Sequence, residues 1–199
     1  MRFLAGFAGA VLLLTAAGAA APAPEGGAPL AAVWKEQRLK FVYMGRTARY
    51  SCDGLRDKIR GMLLDLGARR DLRITTVSCD DSAPGTLLGS VGPSIALTFS
   101  SPALPDAGAQ PPHRGDLGAV DARFEQFTIG RDVFRNMDIG DCELVQQFAR
   151  QVLPKLAARG IKEDITCVPN QPSGSRFLVR GEVLRALPSP SNAPRPTAP

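Results

Sequence analysis

Two stretches of this chain, each bounded by a pair of cysteines, are versions of one segment. Residues 51–79 read SCDGLRDKIRGMLLDLGARRDLRITTVSC, and residues 141–167 read DCELVQQFARQVLPKLAARGIKEDITC. At an offset of 90, Cys52 falls on Cys142, Arg60 on Arg150 and Leu63 on Leu153, and residues 66–69 fall on 156–159. Two residues drop out before the second closing cysteine. A tandem duplication is the simplest account, and it restricts the fold to one that a single unit used twice can build.

The unit can be read from its periodicities. In the first copy Leu55, Ile59, Met62, Leu63 and Leu66 recur at helical spacing, with Arg56, Asp57, Arg60 and Asp65 on the other side, which predicts an amphipathic helix. Ser51 or Asp53 is placed to cap its start, and Gly67 stands where a glycine ends a helix. In the second copy Val145, Phe148, Val152 and Leu156 form the stripe, with Asp141 as cap and Gly160 as stop. Pro154 lies inside that stripe and, lacking an N–H, should kink the helix. Extended segments are expected before each helix (39–49 and 122–129), directly after it (72–77 and 161–168), and once more downstream (94–100 and 176–184). The expectation is an α+β fold of two βαββ pseudo-repeats, forming a mixed sheet with both helices on one face, ferredoxin-like in style.

This layout selects a cysteine pairing. A helix of about 15 residues is about 22 Å long, and a returning strand of about 7 residues covers about 23 Å. The strand end therefore comes back beside the helix start, where Cys52 and Cys79 stand in one copy and Cys142 and Cys167 in the other. The expected disulfides are Cys52–Cys79 and Cys142–Cys167. They fit an oxidising compartment, and the N-terminus points the same way. Arg2 precedes an apolar run over residues 3–14, followed by small residues with a cleavage point near Ala19–Ala20. That is the order of a secretory signal peptide, and the run is well short of the about 20 residues needed to span a bilayer. The expected organisation is a signal peptide over 1–20, a disordered linker over 21–34, and one pseudo-symmetric domain over 35–187. Within it, repeat 1 covers 38–101, a linker rich in Pro and Gly covers 102–118, and repeat 2 covers 119–187. A Pro-rich tail runs over 188–199.

The cysteines and carboxylates are the side chains with the chemistry for catalysis or metal binding. Cys52 at a helix start near Arg56 has the setting of an activated thiol. A cysteine nucleophile needs a positioned base, and the single histidine, His113, lies in the Pro-rich linker. Zinc sites bring two ligands within two to four residues, whereas no two cysteines here are closer than 25. There is no C-x-x-C pair, phosphate loop or dinucleotide fingerprint. Asp53/Asp57 and Glu163/Asp164 read as solvated helix and turn faces. No catalytic residue, metal ligand or cofactor is assigned.

Charge is the one distributed signal. Residues 38–79 carry ten Lys/Arg and four Asp, while residues 121–187 carry ten Lys/Arg and nine acids. The first repeat is therefore the basic one, and Arg46, Arg49, Arg56, Lys58, Arg60, Arg69, Arg70 and Arg73 make up its candidate binding face. Such a face suits lipopolysaccharide phosphate, nucleic acid, an acidic envelope component or an acidic protein. Aromatic interleaving of the kind used by single-strand binders is thin, with Tyr43 and Tyr50 the only tyrosines.

The segment YSCDGLRDKIRGMLLDLGARRDL, with a cysteine at the end of the next strand, resembles small exported proteobacterial proteins, secreted or periplasmic. The resemblance implies a compartment and carries no activity and no site residues. The functional expectation is a periplasmic or secreted, non-enzymatic binding or structural module with a basic first repeat. The alternative is a small secreted hydrolase with a carboxylate/Ser site between the repeats.

Overall fold

The computed structural model describes residues 28–78, 93–106, 118–131, 133 and 137–188. The expected signal peptide, Cys79, His113 and the tail from residue 189 lie outside the described residues. The elements run β1 (Leu30–Val42), α1 (Cys52–Asp65), β2 (Arg73–Ser78), β3 (Ser94–Ala103), β4 (Ala119–Gly130), α2 (Cys142–Gln151), β5 (Ala158–Thr166) and β6 (Arg176–Ala186).

The strands form one sheet in the order β2-β3-β1-β4-β6-β5, and every hydrogen-bonded pair is antiparallel. This corrects the expected mixed sheet. Helix α1 does return the chain so that β2 runs in the direction of β1, but β3 lies between them and opposes both. The same holds for β4, β6 and β5. No two strands of like direction are neighbours.

Alternation decides which side the helices cover. Leu39, Phe41, Ile95, Leu97, Phe99, Phe127, Ile129, Phe177, Val179 and Val183, all odd-numbered, point to one face. They share a single buried cluster with Leu55, Ile59, Met62 and Leu63 of α1 and Leu144, Val145, Phe148 and Val152 of α2. Both helices therefore cover the same face. Even-numbered residues of these four strands look the other way, where Ala32, Ala122 and Leu184 form a small second cluster.

Several boundaries differ from expectation. β1 spans Leu30–Val42 rather than 39–49, so it starts inside the stretch read as linker. Its first residues, 30–33, are the ones that pair with β4, and Ala32 is fully buried there. β3 likewise runs through Pro102 to Ala103. Helix α1 is bounded as its caps dictate. The Ser51 hydroxyl accepts from the Gly54 N–H at 3.1 Å, and Gly67 adopts φ +89°. Around it, Ala68 N–H reaches the Leu63 carbonyl at 2.9 Å and Gly67 N–H the Leu64 carbonyl at 3.0 Å, a Schellman closure.

Helix α2 stops at Gln151 instead of continuing toward Gly160. Pro154 has no N–H for the Arg150 carbonyl, so residues Leu153–Lys155 tighten into one 3-10 turn and the chain enters β5 at Ala158. Gly160 lies inside β5 with φ +61°, at the irregularity between Arg159 and Lys162.

Pairs of residues 90 apart share environments. Leu55/Val145, Ile59/Ala149, Met62/Val152, Leu63/Leu153, Leu66/Leu156 and Ala32/Ala122 are buried in both members. Arg69 lies over the Trp34 ring at 5.5 Å, and Arg159 over the Phe124 ring at 3.9 Å. Cys142 and Cys167 form a disulfide with Cα atoms 5.6 Å apart. Cys52 is also disulfide-bonded, and its expected partner, Cys79, lies outside the described residues. Among the described residues no helix is long and apolar enough to cross a membrane.

Candidate functional site

The most concentrated chemistry in the described residues lies where the start of α2 meets the β1–α1 connection. Asp138 opens a 3-10 turn over Ile139–Asp141, its side chain accepting from the Gly140 N–H at 3.0 Å while Asp141 Oδ2 accepts from the Asp138 N–H at 2.8 Å. This turn carries Asp141 inward, to 1% exposure. Its Oδ1 accepts a short hydrogen bond from the Tyr50 hydroxyl, and its Oδ2 takes the Lys58 ammonium at 2.5 Å. Asp141 was expected to cap α2 with its side chain; it occupies the cap position, but its oxygens serve these three donors instead.

A second buried carboxylate, Glu143, stands two residues further on. Glu143 Oε2 accepts from the backbone N–H groups of Arg46 and Thr47 at 2.6 and 2.7 Å. Gln147 and Gln151 continue the same side of α2, because residues four apart share a helix face. Gln147 Oε1 accepts from the Met44 N–H at 2.8 Å. Gln151 both accepts from the Val42 N–H at 3.1 Å and donates to the Val42 carbonyl at 3.0 Å. Tyr43 packs edge-on against Tyr50 with ring centroids 4.8 Å apart and donates to the Ala48 carbonyl at 2.8 Å.

Burial is the main reason both phenols are held well above the ordinary tyrosine range. For Tyr50 the hydrogen bond to Asp141 and the charge of that carboxylate add to it. For Tyr43 the charges of Glu143 and Asp141 add, while the bond to Ala48 opposes. Each of these carboxylates is engaged by donors from the opposite half of the chain. Buried charges compensated in this way act as scaffold. Among the described residues no group of three or more His, Cys, Asp or Glu side chains is arranged to hold a metal ion.

This cluster was missed in the sequence, although one signal pointed to it. The offset of 90 places Lys58 on Phe148, a fully buried residue. A cation at a core-facing helical position requires a buried counter-ion.

The eight cations proposed as a basic face occupy several separate places. Arg46 and Arg49 lie in the β1–α1 connection, Arg56, Lys58 and Arg60 on α1, Arg69 and Arg70 just after it, and Arg73 at the start of β2. Arg56 bridges Asp53 at 3.0 Å and Asp57 at 3.5 Å. Lys58 is turned inward, and Arg69 pairs with Asp71 at 2.8 Å while covering Trp34. Arg46, Arg49, Arg60, Arg70 and Arg73 are exposed, with no ion pair among the described residues. Arg60 and Arg70 are brought together through a 3.4 Å bond from the Arg60 guanidinium to the Arg70 carbonyl. Of the carboxylate pairs considered, Asp53 and Asp57 share Arg56, and Asp164 pairs with Arg176 at 3.1 Å.

Comparison with protein-family models, with curated proteins and with solved structures finds no match to this chain.

Proposed function

We propose that this chain is an exported, non-enzymatic envelope protein that binds an acidic component electrostatically, on a scaffold of two βαββ pseudo-repeats in a ferredoxin-like style. The observation that carries the binding reading is the contrast between buried and exposed charge. Asp141, Glu143 and Lys58 are occupied by the fold itself, while five arginines of the first half stand exposed without an ion pair among the described residues. Unpaired surface cations raise the local potential and draw anions to it. The disulfide and the lack of a membrane-spanning helix among the described residues fit a periplasmic or extracellular setting.

The duplication is supported by the shared burial at an offset of 90 and by the repeated arginine-over-aromatic contact. In each half the third strand lies between the first two, as in a split βαβ unit. The alternative, a small secreted hydrolase with a carboxylate/Ser site between the repeats, would have to free Asp141 or Glu143 from the donors that hold them to supply its carboxylate.

The test is capture of periplasmic material on the immobilised protein at low and high salt, followed by mass spectrometry. An acidic component retained at low salt and released at high salt is the expected outcome, since exposed charges are screened within about 8 Å at physiological ionic strength. Retention that ignores salt, or no retention, would refute the electrostatic reading.

A further inference from the structure

The sheet separates charge between its two faces in a way the linear charge count does not show. On the face away from the helices, strand pairing aligns Arg38 of β1 with Thr98 of β3 and Arg73 of β2, and the next row aligns Lys40, Ala96 and Thr75. The second half repeats the arrangement with Thr128, Arg180 and Lys162. Three acids of this face, Glu36, Glu182 and Asp164, are each engaged by an arginine: Arg38 at 2.6 Å, Arg159 at 2.5 Å and Arg176 at 3.1 Å. Lys40, Arg73, Lys162 and Arg180 are left exposed, with no ion pair among the described residues. In the first half, small residues, Ala96 and Thr98, lie between Lys40 of β1 and Arg73 of β2, which are two strand spacings (about 10 Å) apart across the sheet and two residues apart along it.

We infer that this open sheet face binds an acidic polysaccharide, its carboxylates lying against the diagonal cation pair Lys40/Arg73 and the cross-strand pair Lys162/Arg180. The inference rests on the electrostatic reading above and specifies where the acidic component docks and what it is. Charge complementarity selects a polyanion, and arginine and lysine both bind carboxylate through charge-assisted hydrogen bonds. The aromatic side chains select among polyanions. Trp34 and Phe124, on this face, are covered by Arg69 and Arg159, so the stacking platform that single-stranded nucleic acid uses is already occupied. The hydroxyls of Thr75, Thr98 and Thr128 stand in the same rows and suit a hydroxyl-rich polymer.

The experiment titrates the full mature chain with polygalacturonate at low salt by calorimetry, with neutral dextran, oligothymidylate and anionic phospholipid vesicles in parallel. K40S/R73S and K162S/R180S should each weaken polygalacturonate binding by about fivefold, two exposed pairs being worth about 1 kcal/mol in total. R46S/R49S, on the helix side and with the same loss of charge, should change it by less than about twofold. Unchanged melting temperatures establish that the variants fold. An equal loss in R46S/R49S would show that net charge rather than this face binds the polymer. Tighter binding of oligothymidylate or of vesicles would overturn the polysaccharide assignment. No polygalacturonate binding, with salt-sensitive periplasmic capture intact, would overturn this inference and leave the broader reading standing.

Discussion

Asp141 ties the halves of the chain together through single side chains. Its partners Tyr50 and Lys58 are 91 and 83 residues away in sequence, so no local pattern announces them. The weakened acidity of Tyr43 and Tyr50 has a consequence that can be measured. In the unfolded chain both phenols ionise near their ordinary value of 10.0, whereas in the fold they stay protonated beyond it. Above that pH the unfolded state binds fewer protons than the native one, so this contribution is fully present below pH 10 and is lost as pH rises past it. Because these are the only two tyrosines, phenolate absorbance near 295 nm should rise together with loss of helical circular dichroism. A phenolate signal developing near pH 10 in a chain that is still folded would contradict the burial described here. Lys58 shows the limit of reading charge from a linear sequence: counted among surface cations, it is the one turned inward, at 18% side-chain exposure.

At the scale of elements, α2 does two jobs on two faces. Leu144, Val145, Phe148 and Val152 enter the core, while Glu143, Gln147 and Gln151 hold the backbone from the last residue of β1 into the β1–α1 connection. The apolar stripe was legible because burial imposes a period of 3.6. The polar stripe looked like ordinary solvated surface, because its partners are backbone groups about 100 residues earlier in the chain. In Gln147→Ala/Gln151→Ala three hydrogen bonds are lost, which should cost about 2–3 kcal/mol at about 1 kcal/mol each. Native-state hydrogen exchange should quicken at Val42 and Met44 before it does in α1. Uniform acceleration throughout the chain would mean that the glutamines support global stability and do not anchor the connection. The helix ends were partly legible. Ser51 and Gly67 bound α1 through chemistry within a few residues, whereas the end of α2 depended on how far Pro154 acts before a strand can begin.

For the molecule as a whole, one disulfide joins the start of α2 to the end of β5. It closes a loop of 25 residues. In the chain-entropy account a loop of that size is worth about 3 kcal/mol, a large share of the roughly 5–15 kcal/mol typical of a native protein. Cys142→Ser/Cys167→Ser should lower urea-unfolding stability by about 3 kcal/mol, and peptide mapping without reductant should recover the 142–167 bridge intact. A loss below about 1 kcal/mol would show that packing, not the cross-link, keeps α2 and β5 together. The amino-acid sequence by itself determined the features whose causes are local: helical stripes, the Ser51 and Gly67 ends, strand alternation, and the helix-and-return spacing that brings Cys142 to Cys167. Only the tertiary structure decided the features that depend on distant partners. These are the insertion of β3 and β6 that makes the sheet antiparallel throughout, the burial of Asp141 among donors from the other half, and the gathering of unpaired cations on the open face. Periodicity records which way a side chain points, but strand order and register are settled by pairings among residues far apart in sequence, and they determine what that side chain meets.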